Sequence, residues 1–110
     1  MTPQLVSILV PLYNEEEFIG EILERVVAAR LPEGIHREIL VVDDGSDDGS
    51  LEIAEDAARR HPGIRVIRHE RNQGKGAAIR TALDQANGEY ALIQDADLEY
   101  NPNEYVKLLG

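Results

Sequence analysis

Residues 88–100 read Gly-Glu-Tyr-Ala-Leu-Ile-Gln-Asp-Ala-Asp-Leu-Glu-Tyr, an apolar stretch that runs straight into a cluster of carboxylates. Tyr90, Ala91, Leu92 and Ile93 are β-favouring or small, which predicts a strand. Beyond it Asp95 and Asp97 stand on the same side of an extended chain with only Ala96 between them, and Glu99 continues that side. Three hard oxygen donors at alternate positions suit a divalent cation such as Mg²⁺ or Mn²⁺, and such a cation is most useful beside the oxygens of a diphosphate. An Asp-x-Asp pair alone is short enough to occur in any solvated loop, so its meaning depends on the chain that leads to it.

That chain alternates. Residues 5–12 (Leu-Val-Ser-Ile-Leu-Val-Pro-Leu) are nearly continuous in apolar β formers, as expected of a strand covered on both faces. Asn14 is a suitable N-cap, and Glu15, Glu16 and Glu17 would fill the first turn of a helix, where the dipole favours negative charge. Phe18, Ile19, Ile22, Leu23, Val26 and Val27 follow at helical spacing, ending before Pro32. A second buried strand over residues 38–44 breaks at Gly45 and leads to a helix over residues 51–60, stopped by Pro62-Gly63. A shorter strand over 64–68, a polar loop over 69–76 and a small-residue helix over 77–86 precede the strand of the opening stretch. Asn101-Pro102 then predicts the start of a last short helix ending at Leu109.

The order βαβαβαβα predicts an α/β fold, a Rossmann-like parallel sheet with helices on both faces. Ligands in such sheets gather at the carboxyl ends of the strands, where Tyr13, Asp43, Asp44, Asp95 and Asp97 all fall.

Length and charge narrow the partners. At 110 residues the chain makes one domain, residues 1–110, that buries roughly two-thirds of its unfolded surface. Its formal charge of -10 argues against nucleic acid, which needs a basic surface to displace counterions. Arg59, Arg60, Arg65, Arg68, Arg71, Lys75 and Arg80 nevertheless crowd the middle with Glu70 as the only acid among them, so an anionic ligand can be met locally. There is no cysteine, which permits a reducing, cytoplasmic setting. The first apolar run has no basic leader and is broken by Pro11, and no run approaches the ~18 residues of a membrane span.

Other phosphate and metal motifs fail. Gly74-Lys75 lacks the earlier glycine of a P-loop, His69 standing in its place, and is followed by Gly76 instead of Ser or Thr. Pro11-Leu12-Tyr13-Asn14 follows the first strand where a dinucleotide fold would have a glycine turn. Neither acidic loop has the EF-hand spacing. His36, His61 and His69 are expected to be ordinary surface residues. A receiver-like regulatory module would want its acid pair after the first strand, where Tyr13-Asn14 stands.

Taken together and in this order, residues 10–15 (Val-Pro-Leu-Tyr-Asn-Glu), 41–46 (Val-Val-Asp-Asp-Gly-Ser), 72–76 (Asn-Gln-Gly-Lys-Gly) and 94–97 (Gln-Asp-Ala-Asp) make the chain resemble the family-2 glycosyltransferases of the GT-A fold. Among them it is most similar to the dolichyl- or polyprenyl-phosphate sugar synthases. The resemblance implies a nucleotide-sugar donor of GDP-mannose or UDP-glucose type, a lipid-phosphate acceptor, and inverting displacement at the anomeric carbon. It implies that Pro11, Tyr13 and Glu15 form a nucleotide-contacting loop and that Asp43 holds the base through a ring N–H, leaving Asp44 to stabilise the following turn. Lys75 matches a loop lysine near the nucleotide, and a flexible glycine on each side would let it reach a diphosphate. Asp95 and Asp97 match the Asp-x-Asp motif as catalytic, nucleotide-binding and metal-ligating residues. Asp97 is the stronger metal ligand, and Glu99 is a further one that tightens metal binding. The family's catalytic domain continues well past Gly110 and adds strands beyond residues 90–94, so the resemblance implies strand order 3-2-1-4 with residues 90–94 at the exposed end. An unpaired apolar edge there invites association, and the chain is expected to form a homodimer, or to swap, through it. The resemblance also implies a nucleotide-binding half that transfers no sugar alone, and a full-length protein at the cytoplasmic face of a membrane.

Overall fold

Val6, Ser7, Ile8, Leu9 and Val10 are all buried, so the strand that carries them has both faces and both edges covered and must run through the middle of a sheet. The structure, a computed structural model, describes residues 4–96. These fold in the order β1 (Gln4–Leu12), α1 (Ile19–Ala28), β2 (Ile35–Asp43), α2 (Ser50–Arg60), β3 (Ile64–Arg68), α3 (Lys75–Gln85) and β4 (Tyr90–Ile93). The expected last helix, Asp97 and Glu99 lie outside the described residues.

All pairings are parallel and the strand order is β3-β2-β1-β4, as expected. Ile8 lies opposite Ile39 and Leu12 opposite Asp43, while Val6 and Leu9 lie opposite Tyr90 and Ile93. The chain steps outward from β1 to β2 to β3, then returns through α3 to place β4 on the other side of β1. The carboxyl ends of β1 and β4 therefore flank the point where the strand order reverses, the place where open α/β sheets form a crevice.

Strand alternation sorts the core into two layers. Ile8, Val10, Leu12, Ile39 and Val41 pack against Ile19, Ile22, Leu23 and Val26 of α1 and Ala54 and Ala57 of α2. Leu9, Leu40 and Val42 face the other way, onto Ala78 and Ala82 of α3. Each fully buried Ile or Leu of α1 contributes about 2 kcal/mol. The alanines of α3 contribute less but let its backbone lie close to the sheet. The outer strand β4 is mostly exposed, with Tyr90 48% and Ile93 47% accessible.

At the amino ends of the strands, Glu38 clamps β4 to the sheet. Its carboxylate accepts hydrogen bonds from the Ser7 hydroxyl at 2.5 Å and the Asn87 N–H at 2.6 Å, and the Gly88 N–H donates to Ser7 Oγ at 2.9 Å. Burial pushes the Glu38 carboxyl up, but the bonds from Ser7 and Asn87 outweigh it and hold it below its usual value. A Cβ on Gly88 would stand 2.6 Å from Ser7 Oγ and 2.7 Å from the Leu5 carbonyl oxygen, so only glycine passes here.

Two boundaries differ from expectation. The first helix begins at Ile19, not beside Asn14, and Glu15, Glu16 and Glu17 belong to the loop before it. α3 begins at Lys75, so that residue is the first of a helix and not part of a flexible loop. In both places polar side chains between the end of β2 and the start of α2 decide the outcome.

Candidate functional site

Beyond Leu12 the chain turns at Asn14, which adopts a left-handed φ of 49°. The Asn14 N–H donates to Ser46 Oγ at 2.9 Å, and its own side-chain oxygen accepts the Asp47 N–H at 2.8 Å. The Glu15 N–H donates to Ser50 Oγ at 2.9 Å, and a Glu16 carboxylate oxygen accepts the Gly49 N–H at 2.9 Å. Asn14 therefore does not cap α1, and Glu16 serves the amino end of α2 instead. The cause is proximity: β1 and β2 are neighbours, so their two following loops meet and satisfy one another's backbone groups.

Asp43 ends β2 and Asp44 follows it, and both are buried. Asp43 Oδ2 accepts a long bond from the Ser46 N–H at 3.3 Å, while Oδ1 is buried with no hydrogen-bond partner among the described residues. Buried carboxylate oxygens rarely lack a donor. Asp44 is the opposite case. Its carboxylate accepts the Gln73 N–H and the Gly74 N–H, each at 2.9 Å, and lies 2.8 Å from His69 Nδ1. Burial pushes the Asp44 carboxyl up, but His69 and the two amides outweigh that and hold it below the usual carboxylate value. Asp44 thus anchors the loop before α3, not the turn that follows it as expected. His69, expected on the surface, is 8% exposed and bonded at both ring nitrogens, to Asp44 and to Thr81 Oγ1. His61 is half-buried against Glu24, and His36 is exposed as expected.

These loops enclose a cleft of about 260 Å³ at the carboxyl ends of β1 and β4. One wall is Pro11, Leu12, Tyr13 and Glu15, the back is Asp44, and the other wall is Asn72, Lys75 and Ala78, with Asp95 beside it. Tyr13 keeps 43% of its surface exposed there. The Lys75 ammonium donates to Asp95 Oδ1 across the mouth. Five expected site residues, Pro11, Tyr13, Glu15, Lys75 and Asp95, are thus brought together, whereas Asp43 lies just behind the lining, between Leu12 across the sheet and Asp44 next in the chain. Leu12, Asn72 and Ala78 were not expected to line a site. Asn72 was visible as part of a glycine-rich motif, while Ala78 gave no signal beyond a small residue on a helix face.

Whether a divalent ion fits can be judged from Asp95. Its side chain is 32% exposed, its oxygens are hard donors, and one of them already receives a cationic group, the Lys75 ammonium. No three acidic or histidine side chains converge on one point among the described residues. Asp95 is therefore compatible with an ion but supplies one ligand only. No helix among the described residues is long and apolar enough to cross a membrane.

Residues 7–110 match the model of the family Glycosyl transferase family 2. An undecaprenyl-phosphate 4-deoxy-4-formamido-L-arabinose transferase of Edwardsiella ictaluri is 41% identical over 110 residues, 98% of this chain and 34% of that protein. The mannosyltransferase PcManGT of Pyrobaculum calidifontis, solved in complex with GDP-Man and Mn2+, superposes with a TM-score of 0.78 at 32% identity, over 94% of this chain and 30% of that one. S. aureus TarS 1-349, in complex with UDP-GlcNAc, does so with a TM-score of 0.73 at 37% identity, over 86% of this chain and 26% of that one. The chain spans about a third of the length of the curated relatives it matches.

Proposed function

The chain belongs to glycosyl transferase family 2, and from that premise we propose that it is the donor-binding part of an inverting hexosyltransferase. The donor is a nucleotide sugar of GDP-mannose or UDP-glucose type, and the acceptor a polyprenyl phosphate. The observation that carries this reading is convergence: Pro11, Tyr13 and Glu15, Lys75, and Asp95, from three separated motifs, line one cleft at the reversal point of the sheet. Relatives named as undecaprenyl-phosphate transferases, and a neighbour holding GDP-Man and Mn2+, support the acceptor and the donor classes.

Each side chain then has a task. Asp43 Oδ1, buried with no donor among the described residues, accepts a ring N–H of the base. Tyr13 offers an exposed ring at the cleft wall to the nucleoside. Lys75 places a positive charge on the diphosphate side and leaves Asp95 to do so. Asp95, with Asp97 and Glu99, would hold Mn²⁺ or Mg²⁺, and the bound ion would supply stabilisation of the charge that builds on the departing nucleoside diphosphate. An acceptor phosphate is already ionised at neutral pH, so none of these residues has to act as a strong base.

Calorimetric titration of UDP and GDP with and without Mn²⁺ tests the reading. One nucleotide should bind with the ion and lose most of its affinity in chelator, because Asp95 and its neighbours repel a bare diphosphate. Binding indifferent to chelator would overturn the metal assignment, and failure to bind either nucleotide would overturn the donor site.

A further inference from the structure

Behind the cleft wall lies a buried polar chain that this chemistry leaves unused. His69 Nδ1 is 2.8 Å from Asp44 Oδ1 and its Nε2 is 2.8 Å from Thr81 Oγ1, so the residue just after β2 and the second turn of α3 grip one imidazole from two sides. Its backbone N–H also donates to the Asp43 carbonyl oxygen at 2.8 Å. An ionised carboxylate only accepts, so Nδ1 carries a hydrogen. Nε2 then accepts from the Thr81 hydroxyl when the ring is neutral or donates to its oxygen when the ring is charged, and the arrangement serves either state.

What this grip holds is the loop that reaches the cleft. Of residues 69–74 His69 alone is buried, while Arg71, Asn72 and Gln73 are exposed. The Gln73 and Gly74 amides donate to the same Asp44 carboxylate, and Asn72 and Lys75 line the cleft on either side of them. Without the imidazole, Asp44 would have only the two amides among the described residues, and the loop no buried side chain to fix it.

We propose that His69 is a positioning residue: braced between Asp44 and Thr81, it sets where Asn72 and Lys75 stand in the cleft and thereby the affinity for a diphosphate ligand. The affinity part rests on the reading of the cleft as a nucleoside diphosphate site; the bracing does not. Ordering a long side chain in advance of binding is worth about tenfold in affinity.

Three variants and three measurements, amide exchange, nucleotide titration and the melting temperature, test it. His69→Leu removes both side-chain bonds, Thr81→Val removes one at nearly constant shape, and His69→Asn keeps an N–H where Nδ1 stands. Amide hydrogen exchange at Gln73 and Gly74, referenced to Ile22 and Leu23 in the core, reports the loop, and titration of UDP and GDP with Mn²⁺ reports affinity. In His69→Leu exchange at the two loop amides should quicken about tenfold more than in the core, with affinity down about tenfold. Thr81→Val should show a smaller change of the same kind, and His69→Asn should recover most of both. Unchanged loop exchange in His69→Leu and Thr81→Val overturns the proposal, as does a lowered melting temperature with unaltered affinity. Should His69→Leu not fold, Thr81→Val against His69→Asn decides by the same criteria. If the unaltered protein binds neither nucleotide, the donor-site reading fails, and the exchange rates still decide the bracing.

Discussion

Asp43 and Asp44 are consecutive, both buried and chemically identical, yet among the described residues one has an oxygen with no hydrogen-bond partner and the other is saturated with donors. Their substitutions should therefore separate stability from binding. Asp43→Asn keeps the side chain's shape but replaces one acceptor oxygen by a donor, so its urea midpoint should change little while nucleotide affinity falls at least about tenfold. Asp44→Ala strands an imidazole and two amides and should cost about 3 kcal/mol in the same denaturation experiment. Equal effects of the two on both quantities would contradict this division. Asp44 also carries a pH signature. Its carboxyl lies below the usual value in the folded protein, so its ionised form stabilises the fold at neutral pH, and that contribution is lost as the pH falls from the ordinary carboxylate pKa, near 4, down through the folded value. The urea midpoint should drop along that window, and drop less steeply in Asp44→Asn.

Loops following neighbouring strands brace each other, and this places the acids of the β1–α1 loop in the service of α2. Glu16→Ala should cost about 1 kcal/mol by removing the acceptor of the Gly49 N–H, whereas Glu17→Ala should change stability by less than about 0.5 kcal/mol. Equal costs would restore the reading in which both acids serve α1. Gly45 marks the contact between the β2–α2 and β3–α3 loops: it has φ of 76°, and a Cβ there would stand 2.6 Å from Arg71 C and Asn72 N. Gly45→Ala should cost more than about 2 kcal/mol, with Gly63→Ala, in open space, as the neutral control. The same loops show where sequence reading succeeds and where it stops. Strands and helices were legible because burial writes a local period into residues such as Ile19, Ile22, Leu23 and Val26. The strand order followed from the family resemblance, Tyr13 and Asp95 were legible because such sheets gather ligands at one end, and Lys75 because two glycines flank it in a motif the family shares. The roles of Asn14, Glu16, Asp44 and His69 were not, since each is set by a partner 25 or more residues away that no local pattern announces.

Across the whole molecule 21 acidic residues face 11 basic ones. The ion pairs Arg25–Glu21, Arg59–Asp56 and Arg60–Glu24 are all well exposed and contribute little. Net repulsion should therefore prevail, and raising ionic strength from about 0.01 to about 0.15 M, which shortens the screening length from about 30 to about 8 Å, should raise the urea midpoint. A lower midpoint would mean that the exposed pairs matter more than the excess charge. The central place of β1 has a consequence of another kind, in the order of synthesis. β1 is made before its two neighbours, yet it is the strand that needs both. β2 is complete at Asp43, but the other flank waits for β4, whose last residue is Ile93. At about 5–20 residues per second, one edge of the most apolar strand stays open on the ribosome for several seconds after the first pairing is possible. For that interval a nascent chain offers a template to any passing strand, and holding it apart is work for a chaperone at the tunnel mouth.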